Sequence, residues 1–73
     1  VAYPDLAGPN VTAGQAALRL GDLASARPHL LAALRVSPFD PRVHCGLAEV
    51  YERSGDPQAA TERDLCRTLS QRV

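Results

Sequence analysis

The sequence predicts an all-α chain, a fragment of an α–α superhelix built from two antiparallel helical hairpins. Three observations predict it. The pair Gly21-Asp22 recurs as Gly55-Asp56, a separation of 34 residues, and the same shift pairs Pro4 with Pro38, Arg19 with Arg53, Ala26 with Ala60 and Leu31 with Leu65. Each Gly-Asp pair divides two runs whose apolar residues recur at three- and four-residue spacing, the period of one helix face. Finally, 45% of the residues are hydrophobic but only one is Phe, two are Tyr and none is Trp, so the core must be built from Ala, Leu and Val, a composition suited to closely packed helices. A period near 34 residues, with Gly-Asp inside the unit and proline at its end, marks a helix–turn–helix solenoid.

Residues 1–9 contain Pro4, Gly8 and Pro9 and read as an extended or turning lead-in. The repeat shift aligns Ala2, Tyr3 and Pro4 with Val36, Ser37 and Pro38, which makes Val1–Tyr3 the expected remnant of a preceding unit. The chain has no Met, so it is expected to be a piece of a longer product or a processed form. The first hairpin is placed over 10–40 and the second over 41–73.

The first helix is expected over Val11–Leu20, capped by Asn10 or Thr12, with Ala13, Ala17 and Leu20 on its packing face and Gly14 beside them. Gly21 supplies the positive φ that ends it, and Asp22 caps the second helix, Leu23–Val36. That helix carries the stripe Ala26, Leu30, Ala33 and Leu34, with Leu31 alongside; Pro28, past its first turn, removes one backbone bond and should kink it. Asp40-Pro41 is the clearest helix start, a cap followed by proline where a missing N–H costs nothing. The third helix is placed over Pro41–Ser54 with Val43, Leu47, Val50 and Tyr51 inward. Gly55 ends it, Asp56-Pro57 repeats the start signal, and the fourth helix runs to about Ser70 with Leu65, Cys66, Leu69 and Val73 as its apolar residues.

Eight basic and eight acidic residues leave a formal net charge of zero, which gives no field to gather nucleic-acid phosphates or anionic lipid. No apolar run approaches the roughly 18 residues of a membrane span, and no signal pattern opens the chain. Nucleic acid and membrane are therefore not expected partners, and the segment reads as water-soluble. The sequence assigns no compartment. A chain this short buries only about 60% of its unfolded surface, so marginal stability is expected in isolation.

The order Ala13-Gly14, Ala17, Gly21, Ala26, Leu30, Ala33, Leu34, Pro38, followed by Leu47-Ala48, Tyr51, Gly55, Asp56 and Ala60, resembles the tetratricopeptide repeat over roughly 10–70. Two departures stand out. Ala17 sits where that family usually has an aromatic, and strict register would turn Asp64, Arg67 and Thr68 into the core, a costly burial of charge. A one-residue insertion after Ala60, placing Leu65, Thr68 and Leu69 inward, is preferred; rotation of a terminal helix would look the same.

The resemblance implies a protein-interaction module whose first helix in each unit lines a concave groove for a peptide or partner helix. Transferred by position, the groove residues are Val11, Gln15 and Leu18 from the first unit and Arg42, Cys45, Glu49 and Glu52 from the second. The carboxylate-holding Lys and two Asn of chaperone-binding members are replaced by Val11, Gln15 and Gly46, which argues against a carboxylate clamp. The alternative is a terminal structural domain packed on a larger enzyme or complex subunit.

The remaining chemistry-bearing residues are His29, His44, Cys45 and Cys66. His44 and Cys45 are adjacent on a helix and point about 100° apart, so they do not converge on a metal. No metal or other cofactor is expected, and no phosphate loop, carboxylate pair or activated nucleophile marks an enzyme. A disulfide between Cys45 and Cys66 is one outcome for the thiols, but two buried free thiols are the default expectation. Two units without a capping helix should also not stand alone, and the apolar surface of Val11, Leu18 and Leu20 makes the N-terminal hairpin the expected face for self-association or docking.

Overall fold

The computed structural model describes residues 5–71, so the expectations for Val1–Tyr3, Pro4 and Val73 lie outside the described residues. Four helices follow in order: α1 (Gly8–Arg19), α2 (Leu23–Val36), α3 (Pro41–Ser54) and α4 (Ala59–Ser70), with no strand among the described residues. They form two hairpins, α1 against α2 and α3 against α4, joined where α2 and α3 pack together.

Local chemistry explains most of the boundaries. Asp22 accepts a hydrogen bond from the Ser25 amide at 3.1 Å and Asp40 from that of Arg42 at 2.9 Å, so α2 and α3 begin where their caps place them. Gly21 and Gly55 have φ of 75° and 71°, the left-handed conformation that a glycine adopts without strain. In both units the next residue bonds back across the helix end, the Asp22 amide to Ala17 O and the Asp56 amide to Tyr51 O, each at 2.8 Å. The two turns are therefore structural copies, as the 34-residue repeat implies. Helix α2 continues through Pro28, beside which the exposed Ala24 is the residue whose carbonyl loses its helical donor.

Two starts differ from expectation. Helix α1 begins at Gly8 instead of Val11, because Asp5 caps it: its carboxylate accepts the Gly8 amide at 3.0 Å, and Pro9 occupies the first turn, where it needs no donor. Asn10 and Thr12 are not the caps; Asn10 Oδ1 instead lies 3.3 Å from His29 Nδ1 on α2. Helix α4 starts at Ala59, since Asp56-Pro57-Gln58 is first used as a turn in which Asp56 accepts from the Gln58 amide at 2.9 Å.

The core joins Val11, Ala17 and Leu18 of α1, Ala26, Leu30 and Ala33 of α2, and Val43, Leu47, Val50 and Tyr51 of α3. Leu30 and Leu47 are fully buried, as the stripes require. Leu34 is only half-buried, packed on the edge of the cluster. Leu20 is 84% exposed, because it stands beyond the last turn of α1 and the packing face passes instead through Val11, Gly14, Ala17 and Leu18. The expected one-residue shift in α4 is likewise corrected: Leu65 is 37% exposed and Thr68 is exposed, while Cys66 and Leu69 are buried. Two long-range links to α3 set that rotation: a covalent bond at Cys66, and Glu62 drawn against His44.

Candidate partner-binding cleft

Helices α1 and α3 lie side by side, and the face they share opens into a cleft of about 420 Å³. Of the seven groove residues expected from sequence, Gln15, Leu18, Arg42, Cys45 and Glu49 line it. Gln15 is exposed, Cys45 and Glu49 are half-buried, and Leu18 contributes an edge while largely buried. Val11 is elsewhere: at 2% exposure it belongs to the core. Glu52 points along α3 toward α4, where it holds Arg63.

Position-by-position transfer missed that α4 reaches the cleft. Arg63 and Ser70 both line it, brought there by a disulfide between Cys45 and Cys66 that joins α3 to α4 with a Cα–Cα separation of 4.6 Å. The default expectation of two buried thiols is therefore corrected. The signal available in the sequence was that Cys45 and Cys66 fall on facing helices of one hairpin, the arrangement in which two side chains come within disulfide reach.

The charges around the cleft are mostly satisfied from within. The Arg42 guanidinium bridges Asp5, at 3.0 and 3.1 Å, and Asp40, at 2.6 to 3.1 Å, linking the lead-in of α1 to the cap of α3. Hydrogen bonds from Arg42 hold both carboxyl groups below their ordinary range and push the guanidinium further up. Arg63 donates to Glu52 at 2.6 and 3.1 Å, lowering the Glu52 carboxyl, while its remaining amino group lies 3.8 Å from Cys66 Sγ. Arg53 pairs with Glu49 and donates to the Leu18 carbonyl at 2.9 Å. Arg19, which lines a second pocket that shares Gln15, Leu18 and Glu49 with the cleft, has no acidic partner among the described residues.

Behind the cleft, His44 is buried between Glu62 and the Pro38 carbonyl. Burial pulls its pKa down, but the Pro38 carbonyl, the Glu62 carboxylate and the more distant Asp40 outweigh it, and the net shift is upward. Among the described residues no three His, Cys, Asp or Glu side chains converge as a metal-binding group. The cleft thus presents paired charges, open amide and hydroxyl groups and an apolar floor, a surface defined by shape and hydrogen bonding more than by net charge.

No described helix is long and apolar enough to cross a membrane. The tetratricopeptide repeat family model matches residues 11–64, which is 54 of the 73 residues. No curated protein and no solved structure shows significant similarity to the chain.

Proposed function

The chain belongs to the tetratricopeptide repeat family, and from that membership we propose that it acts as a protein-interaction or assembly module, non-catalytic in itself and part of a longer array. The cleft between α1 and α3 carries this reading, because Gln15, Arg42, Cys45 and Glu49 converge there from two repeats over one continuous opening. The occupant is a peptide or helix of a partner protein. Nucleic acid does not suit this surface, since among the described residues Arg42, Arg53, Arg63 and Arg67 are committed to carboxylates, Arg27 lies over the Tyr51 ring, and Arg19 stands apart from Arg35 on a different helix. The N-terminal hairpin is the docking side toward a further repeat, a second copy or a larger subunit, supported by Leu6 at 68% and Leu20 at 84% exposure at the two ends of α1.

Peptides selected from a displayed library against the chain test the groove reading through amide chemical shifts. Perturbations grouped on Gln15, Cys45 and Glu49, with binding lost in Glu49→Arg, are expected. Perturbations confined to α2, or failure of any sequence to be enriched, would overturn it.

A further inference from the structure

The disulfide is asymmetric in its surroundings. Cys45 is half-buried and lines the cleft, its Sγ 3.9 Å from Ser70 Oγ, whereas Cys66 is not among the lining residues, so a group entering the cleft meets Cys45 first. Cys66 lies behind it, buried on α4, with the Arg63 guanidinium 3.8 Å from its sulfur. Arg63 is itself held by two hydrogen bonds to Glu52 and so stays in place when the sulfur changes charge. Thiol–disulfide exchange requires a nucleophilic thiolate, an accessible sulfur and a leaving thiolate, and exchange is faster the better the leaving thiolate is stabilised. A guanidinium beside a sulfur favours its thiolate form.

We infer that the cleft contains a directional thiol-exchange site, at which the thiolate of a small thiol or a cysteine-bearing peptide attacks Cys45 Sγ and Cys66 leaves as a thiolate paired with Arg63. In this step the incoming sulfur bonds to Cys45 Sγ as the Cys45–Cys66 bond breaks, and that electron pair goes to Cys66. The product is a mixed disulfide at Cys45, with no net oxidation. A second thiolate of the same class attacks the incoming sulfur, releases the external disulfide and leaves both cysteines reduced; an external disulfide runs the sequence backward. Glu52 is a positioning residue that acts through Arg63. The site does not depend on the cleft's taking a partner peptide, although an adduct at Cys45 would occupy the same opening.

The test uses the oxidised chain with two probes, reduced glutathione and a short cysteine-bearing peptide, followed by acid quench, alkylation and tryptic mapping. Cleavage at arginine puts Cys45 in the fragment 43–53 and Cys66 in 64–67. The expected result with either probe is the adduct on 43–53 and the alkylated thiol on 64–67, with the bias lost in guanidinium chloride; the faster probe identifies which source the cleft prefers. Arg63→Gln should slow exchange by roughly tenfold, Arg63→Lys should retain most of the rate, and Glu52→Gln should fall between them. Arg67→Gln, on the outer side of α4, serves as the unaffected control. An adduct on 64–67, an even split in the folded chain, or a folded Arg63→Gln variant with unchanged exchange would overturn the proposal.

Discussion

His44 Nδ1 lies 2.6 Å from Glu62 Oε1 while its Nε2 lies 2.7 Å from the Pro38 carbonyl oxygen, so both ring nitrogens of one buried imidazole face acceptors. A neutral imidazole has one N–H and satisfies one of them; the imidazolium satisfies both. The pair therefore joins the α2–α3 connection to α4 most strongly when His44 is charged.

The stability of the chain should accordingly fall on the alkaline side. The folded pKa of His44 is raised above its unfolded value near 6.5, with Glu62 and Asp40 as the acidic groups acting on it. Its contribution is complete below that unfolded value and is lost as pH rises through the folded one. Urea denaturation midpoints measured from pH 6 to pH 9 should decline, and His44→Leu should flatten the decline. A wild-type profile that rises over this range would refute the assignment.

Reducing the disulfide should destabilise the fold by about 3 kcal/mol, the loop-closure value for a 21-residue separation. Thermal unfolding with and without a reductant, compared with Cys45→Ser/Cys66→Ser, provides the measurement. The double variant and the reduced protein should agree.

Leu47→Ala should cost roughly 2 to 5 kcal/mol, since Leu47 is fully buried at the centre of α3. The same substitution at Leu65, already partly in solvent, should cost less than half as much. Chemical denaturation of the two variants reports the difference directly.

Gly14→Ala runs against helix propensity. Alanine normally stabilises a helix interior by about 1 kcal/mol over glycine, but a Cβ at position 14 would stand 2.7 Å from Leu30 Cγ, and Leu30 is fully buried with Gly46 packed against its other side. Overpacking of this kind costs typically 1 to 3 kcal/mol, so a net loss of about 1 kcal/mol is expected. A raised melting temperature would show that the contact relaxes cheaply.

Gly55→Val should destabilise by roughly 1 to 2 kcal/mol, because a β-branched residue is strained at φ of 71°. No neighbour stands within 4 Å of a Cβ there, so the effect reports backbone strain without a packing term. An unchanged midpoint would count against the turn.

Where the chain's structure follows from neighbours a few residues apart, it was legible. The limits of α2 and α3 are written in Asp22, Asp40-Pro41 and Gly55, and the buried stripe of α3 in the spacing of Val43, Leu47 and Val50. The start of α1 was less legible because the capping carboxylate, Asp5, stands ahead of Gly8-Pro9, a pair that by itself reads as a turn. The rotation of α4 could not be read from its own apolar residues. Leu65 is as hydrophobic as Leu69, and only contacts to Cys45 and His44, 21 and 18 residues away, turn one outward and the other inward. The same distance effect hid the contribution of Arg63 and Ser70 to the cleft, while Gln15, Cys45 and Glu49 were placed by simple position within a repeat.

The hydrogen bond from Arg53 to the Leu18 carbonyl completes the last turn of α1 with a side chain drawn from the other repeat. Neither hairpin is thus a finished object: in the first alone the Leu18 carbonyl would keep only the Gly21 amide, at 3.0 Å, and Leu30, wedged against glycines of both α1 and α3, would lose one of its walls. The two units must melt as one cooperative block, and amides at the end of α1 should exchange with solvent no faster than the transition of the whole permits.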